Sequence, residues 1–203
     1  MFFQVQGVTA VNGVPVSRID LLDVASGRRS VFVADARLPA TSEDGRTVVY
    51  QSGDPTAGQD AIWISDAAGA SKRPLLQASA NLGSFGNAAP SPDGSQVVIG
   101  AAVPGANSAP GRRALVTLPL PISGNRDGLP EDMWLIRSDG SGLRLLAPFA
   151  EDLPTFAWSA DGKNVYLLGV TGLWQVDVAT GEKRRLGDGI FHGQVVWGGR
   201  ASE

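Results

Sequence analysis

From Phe156 to Gly187, apolar and polar positions alternate in four short runs separated by turn residues, with no sustained helical period. Phe156-Ala157-Trp158 is followed by Ser159-Ala160-Asp161-Gly162, then by the apolar run Val165 to Val170. A third run, Leu173-Trp174-Gln175-Val176-Asp177-Val178, ends at Thr180-Gly181, and Lys183 to Leu186 supplies a fourth. Asp-Gly between apolar runs signals a hairpin, because the Asp oxygen bonds turn backbone and Gly accepts positive φ. The pattern predicts an antiparallel meander of four strands.

The same frame recurs along the chain. Ser-x-Asp-Gly stands at Ser42 to Gly45, Ser91 to Gly94 and Ser159 to Gly162. Each is followed by an apolar strand: Thr47 to Tyr50, Gln96 to Ile99, and Asn164 to Leu167. Trp-bearing strands come next, at Ile62 to Ile64, Met133 to Leu135 and Leu173 to Gln175, each succeeded by a Gly turn. Basic-apolar strands then close the units, at Lys72 to Leu76, Leu143 to Leu146 and Lys183 to Leu186. The N-terminal segment fits without its first strand, as Phe2 to Val5, Arg18 to Leu22, and Arg29 to Val33.

Four-stranded repeats of this length predict an all-β chain, a β-propeller of about four blades whose small sheets bury their faces on one another. The Ser-Pro-Asp-Gly hairpin, the aromatic third strand with Asp66 or Asp177 three residues after its Trp, and the Gly turn beyond resemble the WD-repeat-like propeller repeats of TolB-like proteins. The resemblance covers roughly residues 1–198. It departs at Arg137, which stands where Asp66 and Asp177 stand, and at Ile19-Asp20, which replaces the aromatic of the first unit. It implies a non-enzymatic protein-interaction scaffold with a protein partner, placed outside the cytoplasm of a bacterium. Two alternatives stay open: an accessory or gating propeller of an oligopeptidase-like hydrolase, and a propeller that binds a small ligand or sugar.

The spacing divides a single domain into units of about 1–34 plus 193–198, 35–77, 78–147 and 148–189. His192 to Trp197 reads as the first strand of a repeat, with Trp197 matching Trp158, so it would supply the inner strand that the N-terminal unit lacks. Closure of this kind predicts a monomer or a strand-exchanged homodimer; the alternative is a part of a larger ring. Residues 104–131 form the one large interruption, a Pro- and Gly-rich loop inside the third unit.

Composition narrows the chemistry. The net charge of −3 gives no nucleic-acid footprint, and no apolar run approaches membrane-spanning length. With no cysteine and one histidine, thiol chemistry and multi-histidine metal sites are excluded, and neither a cofactor nor a catalytic residue is expected. Asn125-Arg126-Asp127-Gly128 with Glu131 and Asp132 matches no EF-hand spacing. Met1-Phe2-Phe3 runs straight into polar Gln4 and Gln6, so the sequence shown holds no signal peptide. Alternating strand direction puts the second-to-third-strand loops and the interblade loops on one face. That face would carry Asp54, Asp60, Phe85, Arg112, Arg113, Arg126, Asp127, Glu151, Asp152, Phe191 and His192 as a partner-binding surface, with the Asp-Gly turns on the other.

Overall fold

A computed structural model describes residues 1–9, 15–53, 60–79, 81–103 and 130–191. They form fifteen strands in four antiparallel sheets. The first sheet holds β1 (Phe2–Thr9), β2 (Pro15–Leu22) and β3 (Arg29–Ala34). The second holds β4 (Ala36–Thr41), β5 (Thr47–Ser52), β6 (Ala61–Asp66) and β7 (Arg73–Gln77). The third holds β8 (Gly83–Pro90), β9 (Gln96–Ala102), β10 (Glu131–Arg137) and β11 (Arg144–Glu151). The fourth holds β12 (Thr155–Trp158), β13 (Asn164–Gly169), β14 (Gly172–Asp177) and β15 (Lys183–Gly187). Each sheet is a meander in chain order. The third extends to Glu151, four residues past the boundary expected at 147. Among the described residues the first sheet has three strands; the closing strand expected at 193–198 and the loop core at 104–129 lie outside them.

Local bonds explain why each Ser-x-Asp-Gly makes a tight hairpin. In all three, the buried Ser hydroxyl donates to the Asp carboxylate at 2.5–2.7 Å and accepts the amide five residues on at 3.0 Å. The Asp oxygen accepts the amide two residues on, and Gly45, Gly94 and Gly162 take φ of 69°, 70° and 68°. The second turn of each sheet is built on a carboxylate too. Asp23 and Asp177 accept the amides of Ala25 and Ser26, and of Ala179 and Thr180, at 2.8–3.2 Å; Asp66 accepts from Ala70. In the third sheet, where Arg137 departs from the pattern, Asp139 takes the role by accepting the amide of Ser141 at 2.8 Å. These two sets of turns lie side by side: Ala67, Ser138 and Val178 donate their amides to the carbonyls of Arg46, Ser95 and Lys163.

The core lies in the seams between sheets, because one small sheet cannot cover both of its faces. Ile19 and Phe32 meet Ala36, Val48 and Tyr50 in the first seam. Val49 and Ile62 meet Val97 and Ile99 in the second, and Val98 and Met133 meet Val165 and Leu167 in the third. Alternation along β9 therefore sends Val97 and Ile99 one way and Val98 the other. Trp63, Trp134 and Trp174 occupy the same register position and pack at successive seams, as their spacing predicted. In the first sheet that position belongs to Asp20, which is buried and held by Arg18 and Arg29. Burial opposes its ionisation, but the two guanidiniums outweigh burial and lower its pKa.

Candidate functional site: the channel and its mouths

One strand of each sheet lines a central cavity of about 950 Å³: the first strands β4, β8 and β12, and β1, which matches their second strands in register. Its wall is mixed, with Phe2, Phe3, Pro39, Pro90, Phe156 and Trp158 beside Gln4, Thr41, Asn87 and Thr155. The wall runs down to Ser42, Glu43 and Pro92, so the cavity reaches the face that carries the Asp-Gly turns. Polar side chains in the wall tie the strands together. Gln4 accepts the amide of Leu38 at 3.0 Å, Asn87 donates to Pro154 O at 2.9 Å, and Trp158 Nε1 donates to Ala89 O at 2.9 Å.

The surface expected to bind a partner lies at the other end, and several of its members are interior. Phe85 is not in a loop but in β8, and it is buried in the second seam. Asp60 is 3% exposed; it pairs with Arg37 Nη2 at 2.9 Å and accepts from Gln51 Nε2 at 2.7 Å and from the Phe85 amide at 3.3 Å. Burial pushes its pKa up against the pull of Arg37, Gln51 and the Phe85 amide. Glu151 is fully buried and accepts the amides of Val170 at 2.8 Å and Thr171 at 3.1 Å, together with the Thr171 hydroxyl. Asp60, on a second-to-third-strand loop, and Phe85 and Glu151, on interblade loops, were expected on the partner-binding face; the two carboxylates instead satisfy interior donors and Phe85 fills a seam, which leaves them unavailable to a partner. Asp152 and Phe191 are half-buried, and the Phe191 amide donates to Gly169 O at 3.2 Å. Asp54, Arg112, Arg113, Arg126, Asp127 and His192 lie outside the described residues.

Sequence reasoning missed a repeated polar position three residues before the central residue of each third strand. Ser17, Asp60, Glu131 and Thr171 occupy it. Gln4 Nε2 donates to Ser17 Oγ at 3.0 Å, and Trp174 Nε1 donates to Thr171 Oγ1 at 3.1 Å. Asp60 reaches the next blade through Phe85, and the buried Glu131 carboxylate sits so close to Gly86 and Gly100 that a Cβ at either would overlap it. The signal was legible by counting back from Trp63, Trp134 and Trp174. Among the described residues, no group of three or more His, Cys, Asp or Glu could hold a metal ion, and no helix is long and apolar enough to cross a membrane.

Four radial meanders around one channel, with the core in the seams, decide the fold. It is a β-propeller. No protein-family model and no curated protein matches the sequence. Solved structures do match. TolB from Acinetobacter baumannii superposes with a TM-score of 0.57 at 16% identity, over 85% of this chain and 38% of that one. A chain of a nidogen/laminin complex gives 0.61 at 14%, over 95% and 68%. The propeller domain of the Trilobed protease from Pyrococcus furiosus, described as having an open velcro topology, gives 0.56 at 10%, over 93% and 54%. This propeller thus spans about two fifths to two thirds of these three chains.

Proposed function

We propose that this propeller is a protein-binding module that receives a segment of its partner in the central channel. The supporting observation is the cavity of about 950 Å³, lined by one strand from each of the four sheets, where aromatic and proline residues stand beside polar Gln4, Thr41 and Asn87. Likeness to TolB and to a chain of the nidogen/laminin complex agrees with a binding role. The proposal includes a chain that binds rather than catalyses and that works outside the cytoplasm, as the TolB-like resemblance implies. Likeness to the propeller of a protease supports a second reading, a domain that controls access to a catalytic domain carried elsewhere.

The test is selection of a random-peptide library on the immobilised protein, with Thr41→Trp as the blocked control. Thr41 is exposed in the channel wall, so an indole there obstructs the cavity with little cost to the core. Peptides that bind the native protein and lose affinity on Thr41→Trp support the reading. A library that yields no binders, or only binders indifferent to the block, overturns it.

A further inference from the structure

The start of β8 is held from both sides. On one side Asp60 accepts the Phe85 amide, while Gln51 donates to the Phe85 carbonyl. On the other the Glu131 carboxylate packs against Gly86. The backbone between these grips is irregular: Ser84 has φ of 48°, and the pairing of β8 with β9 shifts register on both sides of Phe85. Arg37 completes the arrangement by donating from Nη1 to Gly53 O at 3.3 Å and from Nη2 to Asp60 Oδ1 at 2.9 Å. One carboxylate thus ties three strands of the second blade to the first strand of the third.

We propose that Asp60 is a proton-responsive catch on the seam between the second and third blades, releasing Arg37 and slackening its hold on Phe85 while the blades stay packed. The charged groups that face it are few. Among the described residues, β4 contributes Arg37, β5 the neutral Gln51 and β8 only backbone, while Glu131 of β10 lies behind Gly86. A neutral carboxyl gives Arg37 no ion pair and gives the Phe85 amide a weaker acceptor. The seam itself rests on Val49, Ile62, Val97 and Ile99, which do not titrate. Asp60 also stands apart from the turn aspartates, whose pKa values are lowered by their own hydroxyl and amide donors. On acidification it takes its proton before they do.

The sign follows by linkage. A carboxyl whose folded pKa lies above its unfolded value binds protons more tightly when folded, so it adds stability as pH falls through that window. The experiment measures amide exchange at Phe85 and urea unfolding, for the native chain and for Asp60→Asn, from pH 7.5 to 4.5. Exchange protection at Phe85, corrected for intrinsic rates, should fall about tenfold in the native chain, the difference between a charged and a neutral acceptor. It should stay flat in Asp60→Asn. Over the same window the native chain should gain global stability relative to Asp60→Asn. Arg37→Gln, which removes the counter-charge, should move the midpoint to higher pH. A Phe85 protection that does not change, that changes equally in Asp60→Asn, or that falls only together with global unfolding overturns the proposal.

Discussion

Glu151→Ala offers a direct measure of how much the interior carboxylates contribute. Glu151 is fully buried and closes the β13–β14 turn from the preceding blade by accepting two amides and one hydroxyl. Truncation leaves the Val170 and Thr171 amides without that acceptor, each worth about 1–3 kcal/mol when buried. Both residues are half-buried, so water restores part of the loss. Removing a desolvated carboxylate returns some stability as well. The expected net loss is about 2–4 kcal/mol, which in a chain of this size corresponds to roughly 5–15 °C in Tm. Glu151→Gln keeps one acceptor oxygen in place and should lose less, about 1 kcal/mol. Urea unfolding followed by tryptophan fluorescence and far-UV circular dichroism reads both variants. A loss under about 1 kcal/mol for Glu151→Ala refutes the reasoning. So does a Glu151→Gln as damaging as the truncation, since charge rather than acceptance would then be what the turn requires.

Other outcomes follow from the same structure. Trp174→Ala should cost about 3 kcal/mol, the lower end of the range for a large aromatic, because the ring is half-buried between Phe149, Lys183 and Arg185; a urea melt measures it. Gly181→Ala should cost about 1–2 kcal/mol, since φ is 75° and the new Cβ would overlap Leu146 O, whereas Gly162→Ala meets no neighbour and carries the φ strain alone. The carboxylates of Asp44, Asp93 and Asp161 have lowered pKa values, so their stabilisation is present above the usual carboxylate pKa and is lost as pH falls through their folded values; the triple Asn variant should show a flatter acid limb in unfolding against pH. Deleting residues 105–129 and bridging with a short Gly-Ser turn should preserve the melt, because Ala101 and Asp132 are already cross-strand partners.

The blades were legible because their signals are local. Each Ser-x-Asp-Gly completes its own hydrogen bonds within six residues, and an apolar strand and then a Trp strand follow it in the same order each time, so the order of motifs gives strand order and phase even though the connecting loops differ in length. Even the irregular first blade obeys the count, since Asp23 follows Asp20 by the same three residues that separate Asp66 from Trp63. Burial of the interblade carboxylates was not legible. Nothing beside Glu151 in sequence announces that Val170 and Thr171 will need its oxygens, because those partners arrive from a different blade. The channel was read only in part: the first strands of three units line it, but the sequence assigned the inner position of the first unit to residues 193–198, whereas Phe2 to Gln4 of β1 line the cavity, and its extension to Ser42, Glu43 and Pro92 depends on how separate sheets come together.

The hairpin turns and the interblade anchors also differ in how freely they can be copied. A turn whose Ser, Asp and Gly satisfy one another asks nothing of its surroundings, so duplication of a blade transmits it intact, and three nearly identical turns stand in this chain. An anchor must be matched to the particular backbone it finds. Asp60 meets a backbone amide of the following blade, Glu131 fits against two glycines of its own blade, and Thr171 receives its carboxylate from Glu151 of the blade before. Each new copy therefore inherits its hairpin ready-made but has to renegotiate its seam, which is where neighbouring repeats lose their interchangeability and a ring acquires a fixed order of parts.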